Sequence, residues 1–490
     1  MTDELTPETP GDDEQPIKQR KNGLYPGVSD ELAENMKSGW ADTELRDLEP
    51  IEQAPHAARR RAALSRRFPG ERLVIPAGNL KTRSNDTEYD FRASTEFVYL
   101  TGDQTDDSVL VLEPRENGEG HDATVYRLPR SDRENGEFWL DGMGELWVGR
   151  RNSLTEAATL LGVACADVRE LADTLRAATG PVRVVRGHDA GIEAALADKV
   201  TAERDEELRV YLSEARLVKD DFEIGELQKA VDSTVRGFED VVKVLDKAEA
   251  TSERYIEGTF FLRARVEGNA VGYGSICAAG PHATTLHWVR NNGQVRSGDL
   301  LLLDAGVETT TLYTADVTRT LPIDGTYNDL QRKIYDAVYE AQEAGIAAVK
   351  PGAAFRDFHD ASQRVLAAKL IEWGLVEGPV DRVLELGLQR RWTLHGTGHM
   401  LGLDVHDCAA ARTEAYVNGT LEAGMVLTVE PGLYFQADDL TVPEEYRGIG
   451  VRIEDDILVT EDGNRNLSAA LPRRADEVEA WMAELTGRRA

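Results

Sequence analysis

Hydrophobic and polar positions alternate in two different ways along this chain and divide it into two regions. From about residue 36 to 215, amphipathic helical patterns alternate with short apolar runs typical of strands, namely ERLVIPAG, EFVYLTG, DSVLVLEP, ATVYRLPR and PVRVVRG. Strands that alternate with helices predict a small α/β domain with a mainly buried sheet. Residues 1–35 are acidic, contain several prolines and carry almost no large apolar side chains, which predicts a disordered tail.

The second region follows a charged, helix-rich stretch at about residues 201–250, and we place the domain boundary near residues 213–218. Beyond residue 250 glycine becomes frequent and strand patterns dominate, with two helices predicted at about residues 329–348 and 355–373. The predicted organisation is therefore a tail at 1–35, an N-terminal domain at 36–215 and a C-terminal domain at 216–490.

Composition and charge exclude several classes of function. Asp and Glu number 88 and Lys and Arg 56, which gives a formal net charge of −32 in 490 residues. Such a chain disfavours nucleic acid and anionic membranes as partners, and no apolar stretch approaches the roughly 18 residues of a spanning helix. We see no signal-peptide pattern, and Cys165, Cys277 and Cys408 have neither zinc nor disulfide spacing. We therefore expect a cytoplasmic protein with reduced thiols.

Histidines are concentrated in the C-terminal region. Six of the nine lie between residues 282 and 406, and HGTGHMLGLDVHD contains His395, His399 and His406. The i, i+4 spacing of the first two would suit a zinc-binding helix. However, the glycines between them are poor helix residues, and the glutamate of HExxH is missing. The segment therefore predicts a loop whose glycines allow the backbone to approach a site closely.

Two aspartates lie on neighbouring strand patterns. Asp304 ends LLLLDAG, and Asp316 lies on the returning segment, so a symmetric hairpin centred on residue 310 would place them directly opposite each other. Opposed like charges destabilise a sheet, which predicts that something positive lies between them. The alternatives are that both aspartates are exposed, or that Arg319 neutralises one of them.

Two glutamates repeat this pattern. Glu430 ends the strand of VLTVEPG, and Glu454 shares one face of the strand GIGVRIEDDILV with Arg452 and Asp456. A strand end is a usual place for a site residue. The alternative for Glu454 is an ordinary pair with a surface arginine.

These four carboxylates and one loop histidine suggest a single site. Crowded together without a counter-charge, the acids would hold protons rather than ionise together. Two divalent cations would balance four negative charges, and oxygen-rich ligation with one imidazole favours Mn²⁺, although Fe²⁺, Co²⁺ or Zn²⁺ would also bind. A water that bridges two such ions loses its proton near neutral pH and becomes a strong nucleophile, so the residues predict hydrolysis at a carbonyl.

Five motifs in this order resemble the pita-bread metallopeptidases over about residues 216–465: LLLLDAGVE, YTADVTRT, HGTGHMLGLDVHD, LTVEPGLY and GVRIEDDILVT. Upstream, EYDFRASTEFVYLTG and ELWVGRR resemble the N-terminal domain of aminopeptidase P and prolidase. The resemblance implies an α/β (α+β) fold, in which a small N-terminal α/β domain precedes a pita-bread domain with a curved, mostly antiparallel sheet and flanking helices. It also implies a homo-oligomer, either a dimer or a tetramer.

The resemblance implies two divalent metal ions per chain and assigns their five ligands by position. His399 and Glu430 would bind one ion and Asp304 the other, while Asp316 and Glu454 would bridge both. Glu430 would also act as a proton shuttle.

The resemblance places five further residues beside the substrate. His287 would lie near the peptide, His395 would line the site, and His406 would assist proton transfer and hold the intermediate. Tyr434 and Arg452 match positions that form the substrate pocket and support the site.

The implied reaction is release of the N-terminal residue from peptides with proline in second position, by attack of a metal-bridging hydroxide. Ordinary aminopeptidases cleave such bonds poorly, because the imide nitrogen lacks a hydrogen and the ring fixes φ. Prolidase, which cleaves only Xaa-Pro dipeptides, shares all five ligands and is the nearest alternative. The longer N-terminal domain and EYRGIGVRIEDD are more similar to aminopeptidase P, and hydrolysis of a tripeptide would separate the two. A non-enzymatic binding protein on this fold is a remote alternative, because such relatives lose the ligands.

Overall fold

The computed structural model describes residues 28–116 and 118–487, and the chain divides into two compact units between Leu208 and Arg209. This division lies a few residues before the boundary that we predicted. Residues 1–27 of the predicted tail lie outside the described residues. Residues Asp30–Asn35 form a short helix, α1, because the Ser29 side chain accepts a hydrogen bond from the backbone N–H of Leu32 and acidic residues fill the first turn. The last residues of the predicted tail are thus helical in the structure, and the disorder of the tail stays a prediction.

The first unit consists of short helices and strands after α1. They are α2 (Ala54–Arg67), β1 (Arg72–Pro76), β2 (Thr82–Ser84), β3 (Thr87–Glu88), α3 (Thr95–Thr101), β4 (Val109–Pro114), β5 (His121–Arg127), α4 (Glu137–Leu140), α5 (Glu145–Val148), α6 (Leu154–Leu161), β6 (Ala164–Asp167), α7 (Leu171–Ala177), β7 (Val182–Val184) and α8 (Ala190–Leu196). Helix α9 (Ala202–Ala215) follows and contains the point of division.

A five-stranded sheet in the order β6-β5-β4-β1-β7 forms the centre of the first unit. The inner pairs β1–β4 and β4–β5 are antiparallel, whereas the outer pairs β1–β7 and β5–β6 are parallel. The strands β1 and β7 are completely buried, as expected for apolar runs that pack on both faces. The α/β layer predicted from the sequence is therefore present.

One element of this unit differs from the prediction. The run EFVYLTG is not a strand but lies in helix α3, whose N-cap Ser94 accepts a hydrogen bond from the backbone N–H of Phe97 and whose C-cap Gly102 is left-handed, with φ +73°. A short apolar run that is buried on all sides has no readable period, so the two capping residues decide its structure.

The second unit contains longer helices and several small sheets. Its elements are α10 (Asp221–Val242), α11 (Leu245–Glu249), α12 (Glu253–Glu267), β8 (Ala270–Val271), β9 (Ile276–Ala279), β10 (Leu300–Ala305), β11 (Val307–Glu308), β12 (Val317–Pro322), α13 (Asp329–Ala348), α14 (Asp357–Glu372), α15 (Val380–Leu386), β13 (Val426–Val429), β14 (Gly432–Phe435), β15 (Ile449–Arg452), β16 (Asp455–Val459), β17 (Asn464–Asn466) and α16 (Ala475–Thr486).

The sheets of the second unit are antiparallel, in the orders β12-β10-β9, β11-β8, β13-β16-β17 and β14-β15. Helices α10, α12, α13 and α14 contribute buried residues to the large hydrophobic core that also contains residues of β9, β10 and β12. Helices α13 and α14 lie where the sequence predicted two helices. The antiparallel sheets with flanking helices agree with the fold that the resemblance implied.

The hairpin that carries the two aspartates has a different register from the predicted one. Asp304 lies opposite Thr318, and a further bridge joins Glu308 to Thr314, so the centre is residue 311 rather than 310. Leu312 adopts φ +70° in this turn. A shift of the hairpin centre by one residue moves the pairing by two residues. The prediction that the two aspartates lie directly opposite each other is therefore wrong, but both remain on the same face of the sheet.

Two simpler expectations concern membranes and thiols. Among the described helices, none is both long and apolar enough to cross a membrane. Cys165, Cys277 and Cys408 are all free, and the last two are buried.

Candidate active site

A cavity of about 620 Å³ in the second unit brings most of the predicted site residues together. Its lining contains all five predicted metal ligands and four of the five predicted substrate residues, namely Asp304, Asp316, His399, Glu430 and Glu454 with His287, His395, His406 and Arg452. Tyr434 is the exception, because it lies behind the lining. Its hydroxyl group contacts His395 Nε2 at 2.8 Å and Arg452 Nη1 at 2.9 Å.

The two aspartates are buried, with 6% and 5% of their surface exposed, and a tyrosine lies between them. The hydroxyl oxygen of Tyr273 lies 2.6 Å from Asp304 Oδ1 and 2.5 Å from Asp316 Oδ1. One phenol proton serves only one carboxylate at a time. On its other side, Asp304 Oδ2 accepts a hydrogen bond from Arg452 Nη2 at 2.5 Å. The alternative that the aspartates are exposed is therefore wrong.

Arg319 contacts the strand that follows Glu454 and does not neutralise either aspartate. Its guanidinium is completely buried, pairs with Asp455 Oδ1 at 2.8 Å and donates to the backbone oxygen of Glu454 at 2.6 Å. The Glu454 side chain is 1% exposed and accepts a hydrogen bond from Thr318 Oγ1 at 2.6 Å. Since Glu454 is buried, the alternative that it forms a surface ion pair is also wrong.

The histidine segment is an irregular loop, as its glycines predicted. It runs beside β13, with hydrogen bonds from the backbone N–H of Thr428 to the oxygen of His399 and from that of Glu430 to the oxygen of Thr397. A Cβ atom on Gly398 would lie 1.9 Å from the oxygen of Thr428, so this approach requires glycine. It places His399 Nε2 at 3.4 Å from Asp316 Oδ2 and 3.6 Å from Glu430 Oε1.

Three acids of this cavity, Glu430, Asp316 and Glu454, have raised pKa values. Burial raises the pKa of Glu430 to about 7, and burial together with the neighbouring carboxylates raises the pKa of Asp316 and, strongly, that of Glu454. Burial lowers the pKa of His399, but Asp316 and Glu430 outweigh this effect and the value is about 9. These raised pKa values agree with the prediction that crowded acids without a counter-charge hold protons rather than ionise together.

The donor set fits divalent cations. One ligand atom each of Asp316, His399 and Glu454 lies within 4.8 Å of the others, which is close enough for a shared ion. Glu430 and Asp304 flank this group through His399 and Tyr273. Carboxylate oxygens with one imidazole are the ligands of borderline and hard divalent ions. Asp316, His399 and Glu454 therefore form a candidate metal site.

We expect the metal-free protein to lose stability as the pH rises. For Glu430, Glu454, Asp316 and His399 the folded-state pKa exceeds the ordinary value, so the folded protein binds more protons than the unfolded chain. The stability from these groups is complete below their ordinary pKa values and is lost as the pH rises through the folded values. The melting temperature of chelated protein should therefore fall from about pH 6.5 to about pH 9, above the range in which His395 and His406, whose pKa values are lowered, stabilise the fold as the pH rises. Added Mn²⁺ should raise it most at the alkaline end, and a melting temperature that rises with pH in the chelated protein contradicts this expectation.

Two contributors to the site carry no signal in the sequence. Tyr273 stands between two glycines in VGYGS, and Thr318 lies between Asp316 and Arg319. Both act through contacts between residues that are distant in sequence, so no local pattern reveals them. Asp456, which shares a strand face with Glu454, is buried, and its Oδ2 accepts a hydrogen bond from the backbone N–H of Asp316 at 3.1 Å.

Comparisons with known proteins agree with this geometry. A family model described as metallopeptidase family M24 matches residues 225–461, and one described as aminopeptidase P, N-terminal domain, matches residues 57–184. Xaa-Pro aminopeptidase 1 of Streptomyces coelicolor is 83% identical over 493 residues, which cover 99% of this chain and 100% of that protein. Xaa-Pro aminopeptidase of Escherichia coli is 34% identical over 444 residues, which cover 86% of this chain and 96% of that protein.

A solved structure confirms the fold. The structure of Pseudomonas aeruginosa aminopeptidase PepP matches with a TM-score of 0.79 at 31% sequence identity, covering 90% of this chain and 100% of that chain. The predicted architecture, an N-terminal α/β domain followed by a pita-bread domain, is therefore confirmed. The chain belongs to metallopeptidase family M24 and, within it, to the Xaa-Pro aminopeptidases.

Proposed function

We propose that this chain is a metal-dependent exopeptidase that releases the N-terminal residue from peptides with proline in second position. The observation that carries the proposal is the convergence of four buried or half-buried carboxylates and His399 on one cavity. Similarity along almost the whole length to proteins named Xaa-Pro aminopeptidase supports this substrate class and does not favour the prolidase alternative.

We propose that five residues, Asp304, Asp316, His399, Glu430 and Glu454, hold two divalent cations. Mn²⁺ is our choice of ion, because the set is rich in carboxylate oxygen and contains a single imidazole. When bound, such ions supply Lewis-acid activation of water and of the scissile carbonyl. Metal analysis of the purified protein, followed by reactivation of chelated protein with Mn²⁺, Co²⁺ or Zn²⁺, tests the choice.

Glu430 is placed to move a proton. Its carboxylate lies between two histidines, with Oε2 at 3.6 Å from His395 Nδ1 and Oε1 at 3.6 Å from His399 Nε2. We propose that Glu430 accepts the proton of the attacking water and returns a proton toward the leaving imide nitrogen. Without this proton the nitrogen would have to leave as an amide anion, so departure of the amine requires the delivery.

We propose that a row of hydrogen-bonded side chains forms the wall against which the proline ring packs. Hydrogen bonds join His395 to Tyr434 and Tyr434 to Arg452. Arg452 in turn donates a hydrogen bond to Asp304, the last member of the row. Burial and the charge of Arg452 lower the pKa of His395 to about 4, so its ring is neutral at physiological pH. A neutral, fixed ring is suited to packing against proline and does not repel the ions beside it.

We predict that His406→Ala retains bound metal but loses turnover. The His406 ring packs edge-on against His399, with 4.3 Å between the ring centroids, and lines the cavity without belonging to the ligand set. Loss of a group that assists proton transfer should lower kcat by about 10²- to 10⁴-fold. The measurement is kcat on an Xaa-Pro tripeptide together with metal content, and His188→Ala, in the first unit, is the control. Unchanged turnover in His406→Ala would remove this residue from the reaction.

The test of the proposed function is a panel of peptides. Chelated enzyme reloaded with Mn²⁺ should release the first residue from Xaa-Pro-Xaa tripeptides and longer Xaa-Pro peptides, and should leave matched peptides with alanine in second position almost intact. Cleavage of Xaa-Pro dipeptides alone would favour prolidase. Bound metal without hydrolysis of any of these peptides would leave a binding protein.

We also propose a homo-oligomer, a dimer or a tetramer, as the resemblance implies, and light scattering during size-exclusion chromatography tests it. The three free cysteines are consistent with the cytoplasmic location that we expect. Fractionation of cells that produce the protein would place it in the soluble or another fraction.

A further inference from the structure

A second cavity, of about 580 Å³, adjoins the site. It shares His395 and Gly396 with the first cavity, and its other walls come from α14, from Leu384 in α15 and from residues 389–394. Nothing in the proposed reaction uses these walls. A substrate longer than two residues must extend beyond the first cavity. At His395 and Gly396 the first cavity adjoins the second one, whose volume is large enough for several residues.

The second cavity is cationic within a strongly anionic protein. Its lining contains three arginines, Arg356, Arg364 and Arg390, and one carboxylate, that of Asp360. Acidic residues outnumber basic ones in the whole chain, 88 to 56, so this excess of arginine runs against the average charge. A cavity of this sign attracts anionic groups, and guanidinium groups bind carboxylates with two parallel hydrogen bonds.

The guanidinium groups are only partly engaged by the protein. Arg390 has no carboxylate within 4.0 Å among the residues that the structure describes, and Arg356 donates through Nε to the side-chain oxygen of Asn418 at 2.9 Å. Arg364 pairs with Asp381, which is exposed, at 2.8 Å. An exposed pair of this kind contributes little and is readily exchanged for another carboxylate.

A buried acceptor without a partner lies in the same wall. Gln389 is 4% exposed, and its Oε1 has no hydrogen-bond partner among the described residues, while its Nε2 lies 3.3 Å from Gln363 Oε1. Buried polar atoms are almost always satisfied in folded proteins. An unpaired acceptor in this wall is a second, independent indication of a polar ligand, because it calls for a donor such as the backbone N–H of a bound peptide.

We propose that this second cavity binds the part of a peptide substrate that follows the proline, and that it selects anionic groups there. This inference rests on the proposed function. A peptide carries its positive amino terminus into the first cavity, which is lined by carboxylates, and its negative end would then lie toward the arginines beyond His395. The shared chemistry is a carboxylate, supplied either by an acidic side chain or by the free C-terminus of the peptide.

The experiment measures kcat/KM for Xaa-Pro pentapeptides whose last three residues contain Glu, Gln or Lys, each as the free acid and as the C-terminal amide. An Xaa-Pro amide, which ends before the second cavity, is the reference for every variant. The wild-type enzyme should prefer the Glu series over the Lys series by about three- to tenfold, chiefly through KM, and the preference should shrink at high ionic strength.

Arg390→Glu should abolish or reverse this preference, and the double variant Arg356→Gln/Arg390→Gln should weaken it without reversing it. Arg382→Glu is the matched control, because Arg382 is an exposed arginine of α15 that pairs with Glu385 and does not line the cavity. A fall in kcat/KM of the uncharged Gln series on amidation assigns the carboxylate to the C-terminus, whereas a preference for Glu over Lys that persists among the amides assigns it to side chains. The proposal is overturned if the wild-type enzyme ignores downstream charge, or if Arg390→Glu and Arg382→Glu behave alike. Failure of the wild-type enzyme to cleave even the Xaa-Pro amide would instead count against the proposed function.

Discussion

We expect that replacing Glu454 with alanine abolishes peptide hydrolysis and lowers the metal content of the purified protein, and that Asp316→Ala does the same. Each carboxylate is proposed to contact both ions, so one substitution weakens two sites at once. Loss of a residue that merely orients a metal ligand costs about 10- to 100-fold in affinity or activity, and loss of a shared ligand should cost more than about 100-fold. The measurements are kcat/KM on an Xaa-Pro tripeptide and metal per chain. Glu445→Ala, an exposed acid shortly before β15, should keep wild-type values of both.

A second measurement separates a metal ligand from a residue needed for folding. Glu454 is buried among other acids, and its pKa is raised well above the ordinary value by burial and by Asp316. The isosteric change Glu454→Gln removes this cost, so it should raise the melting temperature of the chelated protein at neutral pH while it abolishes activity. Wild-type metal content and rate in Glu454→Ala, or a chelated Glu454→Gln protein that melts well below the wild type, would refute the assignment.

The convergence of these side chains on one cavity was predictable because several of them lie where local rules apply. Asp304 and Glu430 end apolar strands, and the glycines around His399 exclude a helix, so that sequence alone indicated which side chains converge. The argument from charge also held, since the pKa of Glu430 is raised to about 7 in the folded chain. Each of these residues lies next to an apolar run or a group of glycines that can be recognised from the local sequence.

The errors arose where backbone geometry or distant contacts decide the outcome. The hairpin of Asp304 and Asp316 is centred one residue later than a symmetric hairpin would be, because Leu312 adopts a left-handed backbone conformation. Leucine rarely adopts this conformation, so the sequence does not predict it. Helix α3 was read as a strand because its apolar residues face the core on all sides. Tyr273 was missed because its partners lie 31 and 43 residues away in sequence.

Glu253 is another residue whose importance the sequence hides. It looks like an ordinary acidic residue in the first turn of α12, yet its carboxylate is completely buried. Its Oε1 accepts hydrogen bonds from the backbone N–H of Ala279 at 2.9 Å and from His282 Nδ1 at 2.8 Å. Its Oε2 accepts them from Trp288 Nε1 at 2.8 Å and from the backbone N–H of Gly293 at 2.7 Å. One carboxylate thus fixes both ends of the loop that carries His287 into the cavity.

We expect Glu253→Ala to reduce both stability and activity. The change leaves one buried and three partly buried donors without this acceptor, and even partial relaxation should cost about 3 kcal/mol in the free energy of unfolding. Because the loop then loses its anchor, kcat/KM on an Xaa-Pro tripeptide should fall by at least about tenfold, while metal content stays at the wild-type value. Denaturant unfolding, metal analysis and kinetics provide the three measurements.

The conservative change Glu253→Gln distinguishes an anchor from a general packing role. Glutamine keeps the volume and one acceptor oxygen but presents an NH₂ group to two of the donors, so we expect losses of stability and rate between those of the wild type and Glu253→Ala. Glu257→Ala, one turn further along α12, should leave both values near those of the wild type. If Glu253→Ala lowered stability without changing kcat/KM at a temperature where it is fully folded, the loop would hold His287 without help from this carboxylate. A loss of bound metal in Glu253→Ala would instead mean that the loop supports the ligand cluster itself, since His287 is not among the proposed ligands.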